Sequence, residues 1–153
     1  MKKLATILTG AVMLFSTFAF AIDGEKANLN VSARIKASFS KDFSTASNIS
    51  WEKIKTCYIA TFTINTTEIN AAYNDDGELV GTSREIETVQ LPICVSLALS
   101  KKYNGYNFSK KALELTFDGI TNYYLAVEND QQVLKLKCSV SGGIDVESKV
   151  KKK

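Results

Sequence analysis

Hydrophobic positions recur with a helical period in the first patterned part of the chain. Ile35, Phe39 and Phe43 are spaced four residues apart, with charged residues between them. This spacing gives one apolar stripe on an amphipathic helix. The stripe predicts a helix over about residues 31–46.

Beyond this helix the period changes to two. Apolar and polar residues alternate in runs that contain Trp51, then Tyr58, Ala60, Phe62 and Ile64, and then Ile69, Ala71 and Tyr73. Such alternation is typical of strands that bury one face. A second helical stripe starts at the chain's only proline, Pro92, and ends at Gly105. Further alternating runs follow up to about residue 150.

The order of helix and strands occurs twice, which indicates an internal duplication. Shifting the chain by 66 residues superposes Tyr58 on Tyr124, and the two helical stripes match at a shift of 64. The sequence therefore predicts an α+β fold with two copies of a helix packed on an antiparallel sheet, at about residues 31–90 and 91–150. Each copy is too small to bury a large core alone, so we expect a single domain over residues 31–150.

The first 21 residues have the composition of a signal peptide. Two lysines precede an apolar stretch that ends with small residues at Ala19 and Ala21, and a polar sequence begins at Asp23. We expect cleavage after Ala21, a loose leader at residues 22–30, and a periplasmic or secreted protein without a transmembrane segment in the mature chain. Residues 151–153 form a basic tail.

Composition narrows the possible functions. The chain has no histidine, which is the commonest general base and metal ligand, and it lacks the glycine patterns of nucleotide-binding loops and the serine motif of hydrolases. We therefore predict no catalytic residue, cofactor or metal site, and we expect a protein that is not an enzyme. A net charge of +3 without a basic stripe gives no support for nucleic-acid binding.

The three cysteines, Cys57, Cys94 and Cys138, are an odd number in a chain expected to be exported. At least one thiol is therefore free or bonded to another molecule. Their spacing matches neither a zinc motif nor a CxxC redox pair. We expect buried, apolar cysteine side chains with at most one disulfide.

An acidic stretch, YNDDGELVGTS, surrounds Gly77. Asp76-Gly77 between two alternating runs predicts a type I′ hairpin turn. A calcium loop with this glycine at its sixth position would begin at Ala72 and end at Ser83, and neither residue is acidic. The interpretations left open are a hydrated turn, a weak calcium site, and a hairpin tip that contacts a partner through Asp75 and Asp76.

Several short motifs follow one another along the chain: Trp51, Tyr58-x-Ala60-x-Phe62, YNDDGELVGTS, LPxxV from Leu91, and KKYNGY from Lys101. In this order the sequence resembles the PepSY-like family of exported Bacteroidota proteins described as beta-lactamase-inhibitor-like (BLIP-like), over about residues 31–150. The resemblance implies a tandem α+β fold with each helix on one side of an antiparallel sheet. It also implies a non-enzymatic binding or inhibitory role. The cysteines are not part of the family's motif.

Strand alternation also predicts which side chains share a face of the sheet. The residues expected to face the helices are Tyr58, Ala60, Phe62, Tyr124 and Ala126. The residues expected on the opposite face are Cys57, Ile59, Tyr123, Leu125 and Val127. This second set is apolar, so it is either covered by another part of the chain or forms a binding face.

The candidate partner-binding residues are Asp75, Asp76, Ile59, Tyr123, Leu125 and Val127. The leading interpretation is recognition of another exported protein, with inhibition or regulation of an envelope or secreted enzyme as one form of it. The alternatives are a carrier of a small apolar ligand or lipid in the periplasm, and a protein with a structural role alone. A carrier requires an enclosed apolar pocket, whereas a recognition protein requires an open face.

Overall fold

The structure is a computed structural model that describes residues 29–152. The predicted signal peptide, its cleavage site and most of the predicted leader lie outside the described residues. In chain order, the elements of the described part are α1 Ala33–Asp42, β1 Ser47–Ile54, β2 Cys57–Ile64, β3 Thr67–Tyr73, β4 Leu79–Glu87, a 3-10 turn Thr88–Gln90, α2 Ile93–Lys102, β5 Asn107–Phe108, β6 Lys111–Phe117, β7 Ile120–Glu128, β8 Gln132–Ser139 and β9 Ile144–Lys151.

All of these strands belong to one antiparallel sheet. Neighbouring strands run in the order β1-β2-β3-β4-β6-β7-β8-β9, and the short β5 pairs with β7. The two halves join because β4 and β6 pair at the centre, from Gly81 opposite Phe117 to Glu87 opposite Lys111. The predicted α+β class, with helices packed on an antiparallel sheet, is confirmed. Duplication of the sequence stays a prediction.

Helix α1 begins with a side-chain cap. The Ile35 N–H donates to Ser32 Oγ at 3.3 Å, which satisfies one of the free donors of the first turn. The helix ends where the Phe43 N–H donates to the Phe39 carbonyl, so it is shorter at both ends than predicted. Ile35 and Phe39 are buried, and the Phe39 ring packs edge-on against Phe62 with centroids 5.0 Å apart. These contacts hold α1 against the first half of the sheet.

Helix α2 begins directly after Pro92, at a position where a missing N–H removes no helical hydrogen bond. Val95 and Leu99 are its buried residues. The core beneath α2 also contains Ile86, Leu91, Tyr103, Ala112, Tyr123, Leu125, Val127, Leu134, Leu136 and Cys138.

Both helices lie on the same face of the sheet. One row of paired residues crosses the sheet on that face: Ala60, Ala71, Thr82, Thr116 and Thr121. Ala60 and Ala71 belong to the core beneath α1, and Thr121 shares its side of β7 with residues of the core beneath α2. We call this the helix face, and we call the opposite side of the sheet the open face.

The β3–β4 hairpin has a longer turn than predicted. The Gly77 N–H donates to the Asn74 carbonyl at 3.0 Å, and the Asn74 N–H donates to the Glu78 carbonyl at 3.1 Å. Of the turn residues, Gly77 alone has a positive φ, at 76°. A type I′ turn needs two positive φ values, so the predicted turn type is wrong and a three-residue loop with a left-handed glycine replaces it. Pairs of positive φ occur instead at Asn65-Thr66 and Asp118-Gly119.

The predicted orientation of β7 is also wrong. Tyr123, Leu125 and Val127 belong to the core beneath α2, whereas Tyr124 packs on the open face. In β2 the prediction holds, because Ala60 lies in the core beneath α1.

The error comes from the assumed shift between the two halves. The turn Lys55-Thr56 and the corresponding turn Asp118-Gly119 are 63 positions apart, whereas the assumed shift was 66. Because 63 is odd and 66 is even, the assumed shift matches residues that lie on opposite faces. A slip of an odd number of positions exchanges the two faces of a strand.

Candidate functional site

The open face carries an apolar cluster at its centre. Ile59, Ala72 and Leu115 are each only 2% exposed, although the cluster includes no helix residue. Half-buried side chains pack around these three: Ile54, Cys57, Val80, Phe117 and Tyr124. We call these eight residues the open-face cluster.

Small residues in the middle of the sheet explain why this cluster forms. On the open face, Ile59 pairs with Ala72, Ala72 with Gly81, and Gly81 with Phe117. Ala72 carries only a methyl group and Gly81 has no side chain, so there is room above β3 and β4. Larger side chains from β2 and β6 therefore share one apolar cluster, although two strands separate them.

A polar row lies beside the cluster on the same face. Thr61 Oγ1 donates to Asn70 Oδ1 at 2.7 Å, and the next paired position, Ser83, is only 3% exposed. Beyond Leu115 the row continues through Asn122, which is 8% exposed, to Ser139 of β8. The face therefore presents buried hydrogen-bonding groups next to apolar side chains, which is the mixture found in protein interfaces.

Tyr124 is the chemically unusual member of the cluster. Its hydroxyl is buried, and within residues 29–152 it has no hydrogen-bond partner. Burial, followed by the nearby Glu147 carboxylate, raises the pKa of Tyr124 to about 12. The hydroxyl is therefore neutral at physiological pH and keeps a proton that it can donate. An unsatisfied buried hydroxyl costs about 1–3 kcal/mol.

Glu52 borders the cluster on the β1 side. It pairs with Ile59, and partial burial raises the pKa of its carboxyl group. A partly desolvated carboxylate at the border of an apolar cluster favours a partner that brings a positive charge or a hydrogen-bond donor.

The acidic hairpin tip lies on the helix side of the molecule. Asp76 Oδ1 is 3.7 Å from Arg34 Nη1 of α1, and Asp75 Oδ1 is 3.7 Å from Lys53 Nζ of β1. A Cβ placed on Gly77 would lie 3.3 Å from atoms of α1, so the tip packs closely against the helix. Exposed ion pairs of this kind contribute about 0–1 kcal/mol.

The structure does not bring the predicted site residues together. Ile59 lies in the open-face cluster, the two aspartates lie at the tip beside α1, and Tyr123, Leu125 and Val127 are buried beneath α2. Sequence reasoning missed Ala72, Leu115, Phe117 and Tyr124 on the open face. The positions of the hairpin turns were the signal that could have identified them, because a turn fixes which residues of the adjoining strands lie on each face of the sheet.

The cysteines differ in their surroundings. Cys138 is fully buried beneath α2, and burial raises the pKa of its thiol to about 11. Cys57 is half-buried in the open-face cluster, and Cys94 is exposed on α2, so the expectation of burial is wrong for Cys94. All three thiols are free.

Residues 29–152 contain no group of three or more histidine, cysteine or acidic side chains placed to hold a metal ion. In the same residues, no helix has the length and apolar composition needed to cross a membrane.

Solved structures share this fold. A BLIP-like protein from Bacteroides fragilis superposes with a TM-score of 0.68 at 22% identity, covering 82% of this chain and 90% of that one. A DUF2874 family protein from Bacteroides uniformis has a TM-score of 0.64 at 17% identity, with 79% and 89% covered. A candidate periplasmic protein from Bacteroides eggerthii has a TM-score of 0.64 at 18% identity, with 79% and 88% covered.

These neighbours define the class of fold. The chain has the α+β fold of BLIP-like and DUF2874 proteins, which confirms the BLIP-like resemblance found in the sequence. No protein-family model matches the chain, and no curated protein matches it. At identities of 17–22%, the likeness concerns the fold.

Proposed function

We propose that this is an exported, non-enzymatic binding protein that recognises another protein through its open face. The observation that carries the proposal is the open-face cluster. Both helices pack on the other side of the sheet, so the aromatic side chains Phe117 and Tyr124 stay half-buried without a helix above them. Aromatic residues around a buried apolar centre are the composition that protein interfaces favour.

The size of the open face suits a protein partner. Eight strands lie side by side in the sheet order, and strands are about 4.8 Å apart, which gives a width of about 34 Å. Strands of seven to nine residues add a length of about 25 Å. The resulting area of about 850 Å² is close to the roughly 800 Å² that each partner buries in a standard interface.

The carrier alternative has less support. The two described pockets have volumes of about 420 and 430 Å³, and both are open to solvent. Both pockets are lined by residues of α2 and of the strands and turns beside it, and no residue of the open-face cluster lines either of them. A carrier would enclose most of its ligand, so an open groove fits this role poorly.

Other features agree with a role in the cell envelope. The sequence begins with the predicted signal peptide, and one structural neighbour is a candidate periplasmic protein. None of the three neighbours reported above is described as an enzyme. We therefore propose an exported protein as the partner. An exported enzyme is the partner class to test first, because one neighbour is described as BLIP-like.

Capture followed by a direct binding measurement tests this proposal. The chain from residue 22 onward is used as bait in an envelope extract, and the captured protein is purified and titrated calorimetrically. The test variant carries Phe117→Ala and Tyr124→Ala, and the matched control carries Ile93→Ala on the helix side. Circular dichroism first confirms that all three proteins fold.

We expect a stoichiometric complex with the unmodified chain and with the control, and at least tenfold weaker binding to the open-face variant. Loss of two central aromatic contacts costs about 2 kcal/mol or more at a binding hot spot, which corresponds to more than tenfold in affinity. Equal affinity of all three proteins would remove the open face as the binding site.

A further inference from the structure

The Glu52 carboxylate lies on the open face at the border of the open-face cluster. Glu52 is directly opposite Ile59 of that cluster, and it is two positions from Ile54 on the same strand. Within residues 29–152 it takes part in no salt bridge. Partial burial already raises the pKa of its carboxyl group. A cation that arrives together with an apolar group would therefore be well matched to this position.

The apolar side chains next to Glu52 are only half-buried. Ile54 and Cys57 pair with each other at the β1–β2 turn, and both belong to the open-face cluster. Ile54 shares the open face with Glu52, because residues two apart on a strand point to the same side. A residue that carries both a positive charge and a branched apolar side chain would complement the carboxylate and the apolar pair at once.

The described part of the chain begins at this same end of the sheet. Arg34 Nη1 of α1 is 3.7 Å from Asp76 Oδ1, so the amino-terminal end of α1 lies beside the β3–β4 turn. Lys53 Nζ is 3.7 Å from Asp75 Oδ1, which places the β1–β2 hairpin next to that turn. Leu29 packs against the core beneath α1. Leu29 and the border of the open-face cluster therefore lie at one end of the sheet, on opposite faces.

The predicted mature chain is long enough to connect these two places. Cleavage after Ala21 leaves residues 22–28 ahead of Leu29. In extended form these seven residues span about 23 Å. Packed layers are about 10 Å apart, so the way from the helix layer, around the end of the sheet and onto the open face, is about 20 Å. The first residue of the mature chain, Ile22, can therefore reach the cluster without any change in the rest of the fold.

Ile22 has the chemistry that complements this border. It is the only large apolar residue among residues 22–28. Cleavage gives it a free α-amino group, which is mostly protonated at neutral pH. Its branched side chain suits the apolar pair of Ile54 and Cys57, and its ammonium group suits the Glu52 carboxylate. A charge pair beside an apolar contact is less screened by water than a fully exposed pair.

We propose that the amino terminus of the mature chain docks on the open face. Ile22 packs against Ile54 and Cys57, and its α-ammonium group pairs with the Glu52 carboxylate. Residues 22–28 then cover the border of the open-face cluster and compete with a protein partner for it, so the partner binds after this segment is released. The competition rests on the proposed function, whereas the contact itself does not.

The reactivity of the Cys57 thiol tests the contact without a partner. The mature chain is prepared with Cys94→Ser, and mass spectrometry verifies that it starts at Ile22. Cys57 is then the accessible thiol, because Cys138 is fully buried. The rate of its modification by a maleimide is measured for each variant.

We expect Ile22→Asp to raise the modification rate of Cys57 about tenfold. A contact that is formed in about nine molecules out of ten leaves one in ten accessible, and the substitution removes this protection. The matched control is Ala27→Asp, which introduces the same charge elsewhere in the segment and should leave the rate unchanged. Equal rates for the unmodified chain and Ile22→Asp would overturn the contact, and they would leave the proposed function unaffected.

Two further variants test the pairing of the ammonium group. Two glycines added before Ile22 move the ammonium group away from its position, and Glu52→Gln removes the opposite charge. Each should raise the modification rate of Cys57 about two- to fivefold, which is the range that a partly exposed ion pair contributes. Glu68→Gln is the matched control on the same face and should leave the rate unchanged. Full protection of Cys57 in the extended chain would overturn the pairing with Glu52.

Calorimetry with the protein captured from the envelope extract tests the competition. This protein should bind the Ile22→Asp variant about tenfold more tightly than the unmodified mature chain, because the open face is then free. Equal affinities would overturn the competition. If the variant with Phe117→Ala and Tyr124→Ala binds as tightly as the unmodified chain, the proposed function fails, and the Cys57 rates still decide the contact.

Discussion

Removing the Phe39 ring is the sharpest test of how α1 is held on the sheet. The ring is 3% exposed. Its centroid lies 5.0–6.3 Å from the centroids of four other rings, which belong to Phe43, Trp51, Phe62 and Tyr73. Helix α1 has one other buried residue, Ile35, so the substitution Phe39→Ala removes the larger of its two anchors.

The expected loss of stability follows from burial and ring contacts. Truncation of a buried phenylalanine to alanine typically costs about 3–5 kcal/mol. Edge-to-face aromatic pairs contribute about 0.5–1.5 kcal/mol each beyond the buried area, and Phe39 makes three of them. The truncation range already includes contacts of this kind, so we expect a loss in its upper part, at about 4–5 kcal/mol. A domain of this kind has a total free energy of unfolding of about 5–15 kcal/mol. The variant should therefore be close to the limit of folding.

Urea denaturation followed by circular dichroism measures the effect. With a slope of about 2 kcal/mol/M, the midpoint should fall by about 2 M. The matched control is Phe43→Ala, because the Phe43 ring is half-buried and contacts two rings, at 5.6 and 4.7 Å. We expect the control to lose about 1–2 kcal/mol. A loss below about 2 kcal/mol for Phe39→Ala, or equal losses for both variants, would refute this account of α1 packing.

Three further predictions concern stability. Tyr124→Phe removes the unsatisfied buried hydroxyl, so it should raise the free energy of unfolding by about 1 kcal/mol in urea denaturation, and a loss of stability would show that the hydroxyl has a partner. Burial raises the pKa values of Cys138 and Tyr73 above their unfolded values of 9.0 and 10.0, so the unfolded state releases these protons at lower pH than the folded state does. The melting temperature should therefore fall as the pH rises from about 9 to 11. A constant melting temperature over that range would contradict this prediction. Gly77→Ala should lower the free energy of unfolding by about 1–2 kcal/mol more than Gly119→Ala does. Both glycines have a positive φ, but only Gly77 lies against other side chains. Equal losses of stability would count against close packing of the hairpin tip on α1.

The sequence predicted the helices better than the orientation of the strands. The stripe of Ile35 and Phe39 predicted α1, and both residues are buried. An error of one residue in the predicted position of a helix still leaves its buried side largely correct, because neighbouring positions on the same side can replace each other. A strand has no such tolerance. The assumed shift was wrong by an odd number, and it moved Tyr123 and Tyr124 to the wrong faces.

The open-face cluster could not be derived from periodicity alone. Ile59 and Leu115 meet in one cluster because β4 pairs with β6, and α2 lies between these two strands in the sequence. Local patterns predict hairpins between consecutive strands, but they contain no signal for pairing across an intervening helix. The small residues Ala72 and Gly81, which allow the contact, appear in sequence only as ordinary strand residues.

Position-specific photo-crosslinking tests the central claim most directly. A benzophenone amino acid is placed at Phe117 in the open-face cluster or at Ile93 on α2, and each protein is irradiated with its purified partner. If the partner binds the open face, position 117 should crosslink to it and position 93 should not. Crosslinks from position 93 alone would contradict this claim, because the partner would then lie on the helix side of the sheet.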